Sequence, residues 1–219
     1  ALEEIVVVAR RRSEDLQDVP IAVTAFTAND IQSAGINRPQ DFVSLTPNVS
    51  MVDTANAGDT QVTIRGQYST RDAESTFAYV VDGVLITNPN GFNGELYDIE
   101  QIEVLKGPQG ALYGRNAVAG AIIVNTKRPT NEFEASVKGT LGDDNLKKAQ
   151  AMVSGPLIAD QLYGRLTAFY GKSDGQFKNK FTGDDDKVNY SEETAVRGRV
   201  IWEPTDRLNV DMIGSYREV

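Results

Sequence analysis

Leu162-Tyr163-Gly164-Arg165-Leu166-Thr167-Ala168-Phe169-Tyr170 places Leu162, Gly164, Leu166, Ala168 and Tyr170 on one face of an extended chain. Tyr163, Arg165, Thr167 and Phe169 fall on the other. A period of two residues is the signature of a β-strand with one apolar side. The same alternation recurs around it. Phe133, Ala135, Val137, Gly139 and Leu141 alternate with Glu132 to Thr140, and Ala149, Ala151 and Val153 alternate with Lys148, Gln150, Met152 and Ser154. Val196, Gly198, Val200 and Trp202 oppose Arg197, Arg199, Ile201 and Glu203, and Leu208, Val210, Met212, Gly214 and Tyr216 oppose Asn209 to Arg217. Five strands of about ten residues result, the length that crosses a bilayer when tilted.

The connections are the second signal. They run over Gly142 to Asn145, Gly155 to Asp160, the long charged Ser173 to Glu193, and Pro204 to Arg207. Short turns on one side and a long loop on the other are the arrangement of an outer-membrane barrel, short turns periplasmic and long loops external. Trp202, Tyr216 and Tyr170 near strand ends fit its interfacial aromatic girdles. Five strands cannot close, and hydrocarbon tolerates no bare sheet edge, so the pattern implies the start of a longer barrel.

Composition narrows the chemistry. Among 219 residues there is no Cys and no His, which excludes disulfides, thiolate or imidazole metal ligands and any triad with an imidazole base. The net charge of -9 opposes nucleic-acid binding through phosphates. No apolar run approaches the length of a transmembrane helix. The mean hydropathy of -0.34 does not argue against a barrel, whose lipid-facing residues alternate with polar ones.

Before about residue 130 the pattern is mixed. Asn29 is suited to cap a helix from Asp30 to Ala34 that Gly35 ends, and Pro39 to start one running to Leu45. Gln61 to Arg65, Phe77 to Val81, Gln101 to Leu105 and Ala121 to Asn125 read as strands of a small sheet. Asp82-Gly83 reads as a tight hairpin turn. Gly107, Gly110 and Gly114 lack the Gly-Lys-Ser/Thr of a phosphate loop and the spacing of a dinucleotide site, so no cofactor is expected. The expected fold is an α+β domain followed by antiparallel strands of an incomplete transmembrane β-barrel.

Three segments in order carry a family resemblance: Val62-Thr63-Ile64-Arg65-Gly66, Tyr79-Val80-Val81-Asp82-Gly83-Val84, and Gln101-Ile102-Glu103-Val104-Leu105-Lys106-Gly107-Pro108 with Gly110 to Arg115 and Ala119 to Val124 after it. Ahead of alternating strands, they resemble the plug of TonB-dependent outer-membrane receptors. Pro20 to Phe26 is similar to that plug's opening strand, and Glu3-Glu4-Ile5-Val6-Val7-Val8 resembles a TonB box. The resemblance implies a TonB box and linker over 1–12, a plug over 13–130 and the first five of 22 barrel strands over 131–219, as in an N-terminal portion of a receptor. It implies uptake of a scarce nutrient, such as a ferric siderophore, cobalamin or an oligosaccharide, across the outer membrane of a Gram-negative bacterium. The plug would sit inside the barrel with its N-terminus periplasmic.

Energy would come through TonB and its inner-membrane complex, with Glu4, Ile5, Val6, Val7 and Val8 adding as a strand to the edge of TonB's sheet. By resemblance, Arg65 and Lys106 match plug cations that pair with barrel-wall glutamates, and Lys lacks the bidentate geometry of Arg. The apical stretches Gln67 to Glu74 and Thr87 to Glu95 hold Tyr68, Arg71 and Phe92 as candidate ligand contacts. Neither a metal site nor a catalytic residue is expected. The alternatives are a soluble periplasmic ligand-binding module, and an enzyme such as a glycosidase drawing on the acidic Asp184 to Asp186.

Overall fold

A computed structural model describes residues 5–8, 14–53, 60–68, 74–114, 116–175, 190–205 and 207–219. The chain divides into two compact units, Ala1–Lys127 and Arg128–Val219. In chain order the first contains β1 (Val6–Val7), β2 (Glu14–Asp15), β3 (Ala22–Thr27), α1 (Ala28–Ser33), α2 (Pro39–Ser44), β4 (Val49–Asp53), β5 (Thr60–Ile64) and β6 (Gln67–Tyr68). It continues with β7 (Phe77–Val81), β8 (Val84–Ile86), β9 (Ile99–Lys106), α3 (Gly110–Tyr113) and β10 (Gly120–Thr126). The central sheet has the order β3-β9-β10-β7-β8, with β7 and β10 parallel and the other pairs antiparallel. β4, β5 and β6 form a second sheet, and β1 pairs with β2.

Both faces of the central sheet are covered, which explains why β9 and β10 read as nearly continuous apolar runs. Ile102, Val104, Ile122 and Val124 face one cluster with Phe26, Phe42, Val62 and Ile64. Leu105, Ala121 and Ile123 face the other, with Val7, Val80 and Tyr113. Gly120 is required where β10 meets β9, because a Cβ there would stand 2.2 Å from the Leu105 carbonyl oxygen.

Local chemistry sets the ends of the elements. Thr27, not Asn29, caps α1: the Asp30 N–H donates to Thr27 Oγ1 at 3.2 Å and the Thr27 N–H to Asp30 Oδ2 at 2.9 Å. This reciprocal box satisfies two otherwise orphaned donors, and it moves the helix start ahead of the expected Asp30. α2 begins on Pro39 as expected, with Asp41 accepting from the Arg38 N–H at 2.8 Å. Asp82 and Gly83 have φ of 47° and 82° and join β7 to β8, as the two central residues of a type I′ turn require. Asp82 also accepts from the Thr126 N–H at 2.9 Å, tying that turn to the end of β10.

The second unit is a meander of β11 (Glu134–Leu141), β12 (Lys147–Ile158), β13 (Leu162–Ser173), β14 (Ser191–Thr205) and β15 (Leu208–Glu218), each paired antiparallel with its neighbour in sequence. Several strands are longer than the alternation suggested. β12 continues through Gly155 to Ile158 past a bulge after Pro156, so the expected turn from Gly155 shrinks to Ala159–Gln161. β14 starts at Ser191, opposite Ser173, and 176–189 lie outside the described residues. No helix among the described residues is long and apolar enough to cross a membrane, which says nothing about strands.

Candidate functional site

The N-terminal strand is held by β9 through side chains rather than by a ladder. β1 pairs with β2 on one edge, Val6 opposite Asp15 and Val7 opposite Glu14, and the Leu16 N–H donates to the Ile5 carbonyl at 2.9 Å. On the β9 side, Gln101 Nε2 donates to the Val6 carbonyl and the Val8 N–H to Glu103 Oε1, both at 2.8 Å. Val7 is fully buried among Leu105, Ala121 and Ile123, while Val6 is 50% exposed. Glu103 is itself fully buried, and its Oε2 has no hydrogen-bond partner among the described residues. Burial pushes its carboxyl up from 4.5 to about 7, against the opposing pull of the Val8 N–H. Glu4 lies outside the described residues.

Gln101 and Glu103 were not among the residues singled out from sequence. Their signal is nonetheless present: in a strand covered on both faces, Glu103 between Ile102 and Val104 has no route to solvent.

Arg65 and Lys106 come together although 41 positions separate them in sequence, 106 minus 65. Arg65 and Gly66 form the two-residue turn between β5 and β6, with φ of 50° and 80°. The Arg65 guanidinium reaches the Gly107 backbone, where a Cβ would meet Nη1 at 3.2 Å. Lys106 Nζ donates to Thr24 Oγ1 at 3.1 Å and to the Pro47 carbonyl at 3.4 Å. Neither cation is in an ion pair with a carboxylate among the described residues.

The candidate ligand contacts separate. Tyr68 is 62% exposed at the end of β6, as a contact residue needs, and Arg71 lies outside the described residues. Phe92 is 4% exposed, against the expectation of an open loop residue. Its ring centroid lies 5.0 Å from Tyr79, 5.3 Å from Phe77 and 6.3 Å from Phe42, all edge-on. The short 3-10 turn over Pro89–Phe92 delivers the ring to the core, where its apolar area is worth more than in water.

On the second unit the alternation becomes a two-dimensional pattern. Val137, Ala151, Ala168, Val196 and Tyr216 are opposite one another across all five strands. Ala135, Val153, Leu166, Gly198 and Gly214 form the row on one side of it, and Gly155, Gly164, Val200 and Met212 the next. From Leu162 to Tyr170 these rows extend over about 27 Å of strand, or roughly 20 Å of depth at a tilt of about 40°, near the height of a barrel's apolar band. Val137, Val153, Leu166, Val196, Met212 and Tyr216 are all exposed.

The opposite face is charged and cross-linked. Arg199 is bidentate to Asp211 at 2.9 and 2.7 Å, Arg128 reaches the same carboxylate at 3.2 Å, and Arg217 Nη2 meets Glu193 at 2.6 Å. An apolar exposed face opposite a polar one inverts the pattern of a sheet whose apolar face is buried in a core.

Comparison with known proteins agrees with this geometry. The family model "TonB-dependent Receptor Plug Domain" matches residues 15–121. The chain is 26% identical to the pesticin receptor of Yersinia pestis over 83% of its length, and 30% identical to the probable TonB-dependent siderophore receptor PirA of Acinetobacter baumannii over 87%. It spans 27% and 28% of those two receptors. The crystal structure of the ferric yersiniabactin uptake receptor FyuA from Yersinia pestis superposes with a TM-score of 0.83 at 23% identity, covering 90% of this chain and 31% of that one. The crystal structure of PirA from Acinetobacter baumannii gives 0.70 at 27% identity, covering 89% and 31%. With a plug-type sheet, a following meander whose exposed face is apolar, and these matches, residues 15–121 are a plug domain of the TonB-dependent receptor family.

Proposed function

We propose that the complete gene product is an outer-membrane transporter for a ferric siderophore, in which the first unit is the gating plug and the second opens the β-barrel. The observation that carries this reading is the uninterrupted apolar band across β11 to β15, directly after a plug-type sheet. Similar proteins named as a siderophore receptor, a ferric yersiniabactin uptake receptor and a ferrioxamine B receptor favour an iron chelate over cobalamin or an oligosaccharide. Tyr68 and Arg71 are the proposed ligand contacts in this unit. Deleting the gene should abolish growth on one ferric siderophore as iron source and leave cobalamin use intact. A soluble binding module would instead be monodisperse without detergent and leave iron uptake unchanged.

The partner is TonB, engaged by Glu4 to Val8 as an added strand. Val6→Pro deletes a strand N–H and should reduce uptake of iron-55 chelate at least about tenfold while ligand binding is retained. Full uptake in that variant would exclude this segment as the coupling strand.

Arg65 and Lys106, adjacent and in no ion pair with a carboxylate among the described residues, are proposed to pair with acidic residues of the barrel wall. Arg65→Ala and Lys106→Ala should each allow urea to extract the plug at lower concentration, with the larger effect at Arg65, whose guanidinium can bind a carboxylate in two places. Unchanged extraction in both would leave them as ordinary surface cations.

A further inference from the structure

Glu103 is a buried carboxyl that the transport reading does not use. It stands on β9, an interior strand of the sheet, opposite Ala25 of β3 and Ile123 of β10 in register. One oxygen accepts the Val8 N–H at 2.8 Å and the other has no hydrogen-bond partner among the described residues. β3 offers Val23 and Ala25 there, β10 Ala121 and Ile123, and β1 Val7, none of which titrates. The ionisable residues on the elements packed around it are Glu14 and Asp15 of β2, Tyr113 of α3, Asp30 of α1, and Glu100 and Lys106 of β9 itself. Asp30 is engaged by Thr27, and the Lys106 ammonium by Thr24 and the Pro47 carbonyl.

We propose that Glu103 is a proton-linked catch on the N-terminal strand: residues 5–8 stay docked on β9 while the carboxyl is neutral and are released for partner binding as it ionises. This rests on the reading of Glu4 to Val8 as the coupling strand. Docking keeps water from a carboxylate that has one donor, the Val8 N–H, among the described residues, a costly environment for its charge. When the strand leaves, Oε1 and Oε2 regain water. Neutral Glu103 still accepts the Val8 N–H through its carbonyl oxygen, so protonation keeps the clamp and removes the penalty.

The sign follows from the shift. With a docked value of about 7 against an ordinary 4.5, protonation favours the docked form. Docking is therefore firmest below the ordinary value and weakens as pH rises through the docked one.

The test uses the complete gene product in outer membranes with Val7→Cys, a position fully buried when docked. Maleimide labelling is normalised to a peptide of residues 1–12 carrying the same substitution, which cancels the pH dependence of the thiol itself. Between about pH 6 and about pH 8 the normalised rate should rise about tenfold, the change that linkage gives if undocking restores the ordinary pKa. With Glu103→Gln, isosteric and uncharged, it should stay flat and low.

A flat rate with Glu103 intact overturns the catch, whether or not the Gln variant reaches the membrane, and so does an equal rise in both backgrounds. The partner is absent from this measurement, so the two readings fail separately. A tenfold rise with full uptake in Val6→Pro removes the coupling-strand reading, and a flat rate with lost uptake removes only the catch.

Discussion

Phe42→Ala should destabilise the first unit by about 3 to 5 kcal/mol, the range for truncating a fully buried aromatic ring. Phe42 is wholly inaccessible to solvent and lies between two other rings, Phe26 at 6.4 Å and Phe92 at 6.3 Å. Through Phe92 the contact continues to Phe77 and Tyr79 on the central sheet, so α2 is fastened to that sheet by one aromatic chain. Removing the ring leaves a cavity that the flanking strands, bonded into a sheet, can only partly collapse. The measurement is hydrogen exchange of the Ile122 amide in the complete receptor, since β10 lies at the centre of the sheet. Phe42→Leu should cost less than half as much. An Ala variant with unchanged protection would mean that the aromatic chain is outside the cooperative core.

Ala168→Arg should destabilise the barrel by about 2 to 4 kcal/mol in phospholipid vesicles, the cost of a cation near the bilayer midplane on a lipid-facing position. Ala168 is the fourth of the five outward positions of β13, next to the middle one, and in register with Ala151 and Val196. Lys138→Arg, on the other face of β11, should change stability by no more than about 0.5 kcal/mol. Urea unfolding of the complete receptor from vesicles separates the cases. Equal stability in both variants would mean that the exposed apolar rows face water.

What was legible in the sequence depended on periodicity. β13 needed only its own alternation, because a lipid-facing strand shows apolar and polar residues in strict turn. Its neighbours were found by the same rule, and their ends were missed where Gly155 and Pro156 resemble a turn but continue the ladder with a bulge. Turn chemistry was equally local: Asp82-Gly83 needs positive φ at both positions, and the sequence states it. Tertiary burial was not local. Phe92 sits among Asn and Gly residues that look solvated, and only the turn at Pro89–Phe92 sends its ring inward. Glu103 is the opposite case, a charge whose burial follows only once both faces of β9 are covered. The cap at Thr27 was hidden because Asn29 is as good a capping residue, and the choice fell on the reciprocal bond with Asp30.

The two units also differ in how their chains must close. Every pairing in β11 to β15 joins sequence neighbours, so each hairpin closes over a local connection, short in three cases and spanning 174–190 between β13 and β14. The first unit places Thr24 beside Lys106, 82 positions away, because β3 pairs with β9 and not with anything nearer. Closing a loop of that size costs about 4 kcal/mol of chain entropy before any contact rewards it. The order of assembly follows: the meander can zip hairpin by hairpin, whereas the sheet around β9 waits for its most distant strands to meet and folds as the slower partner.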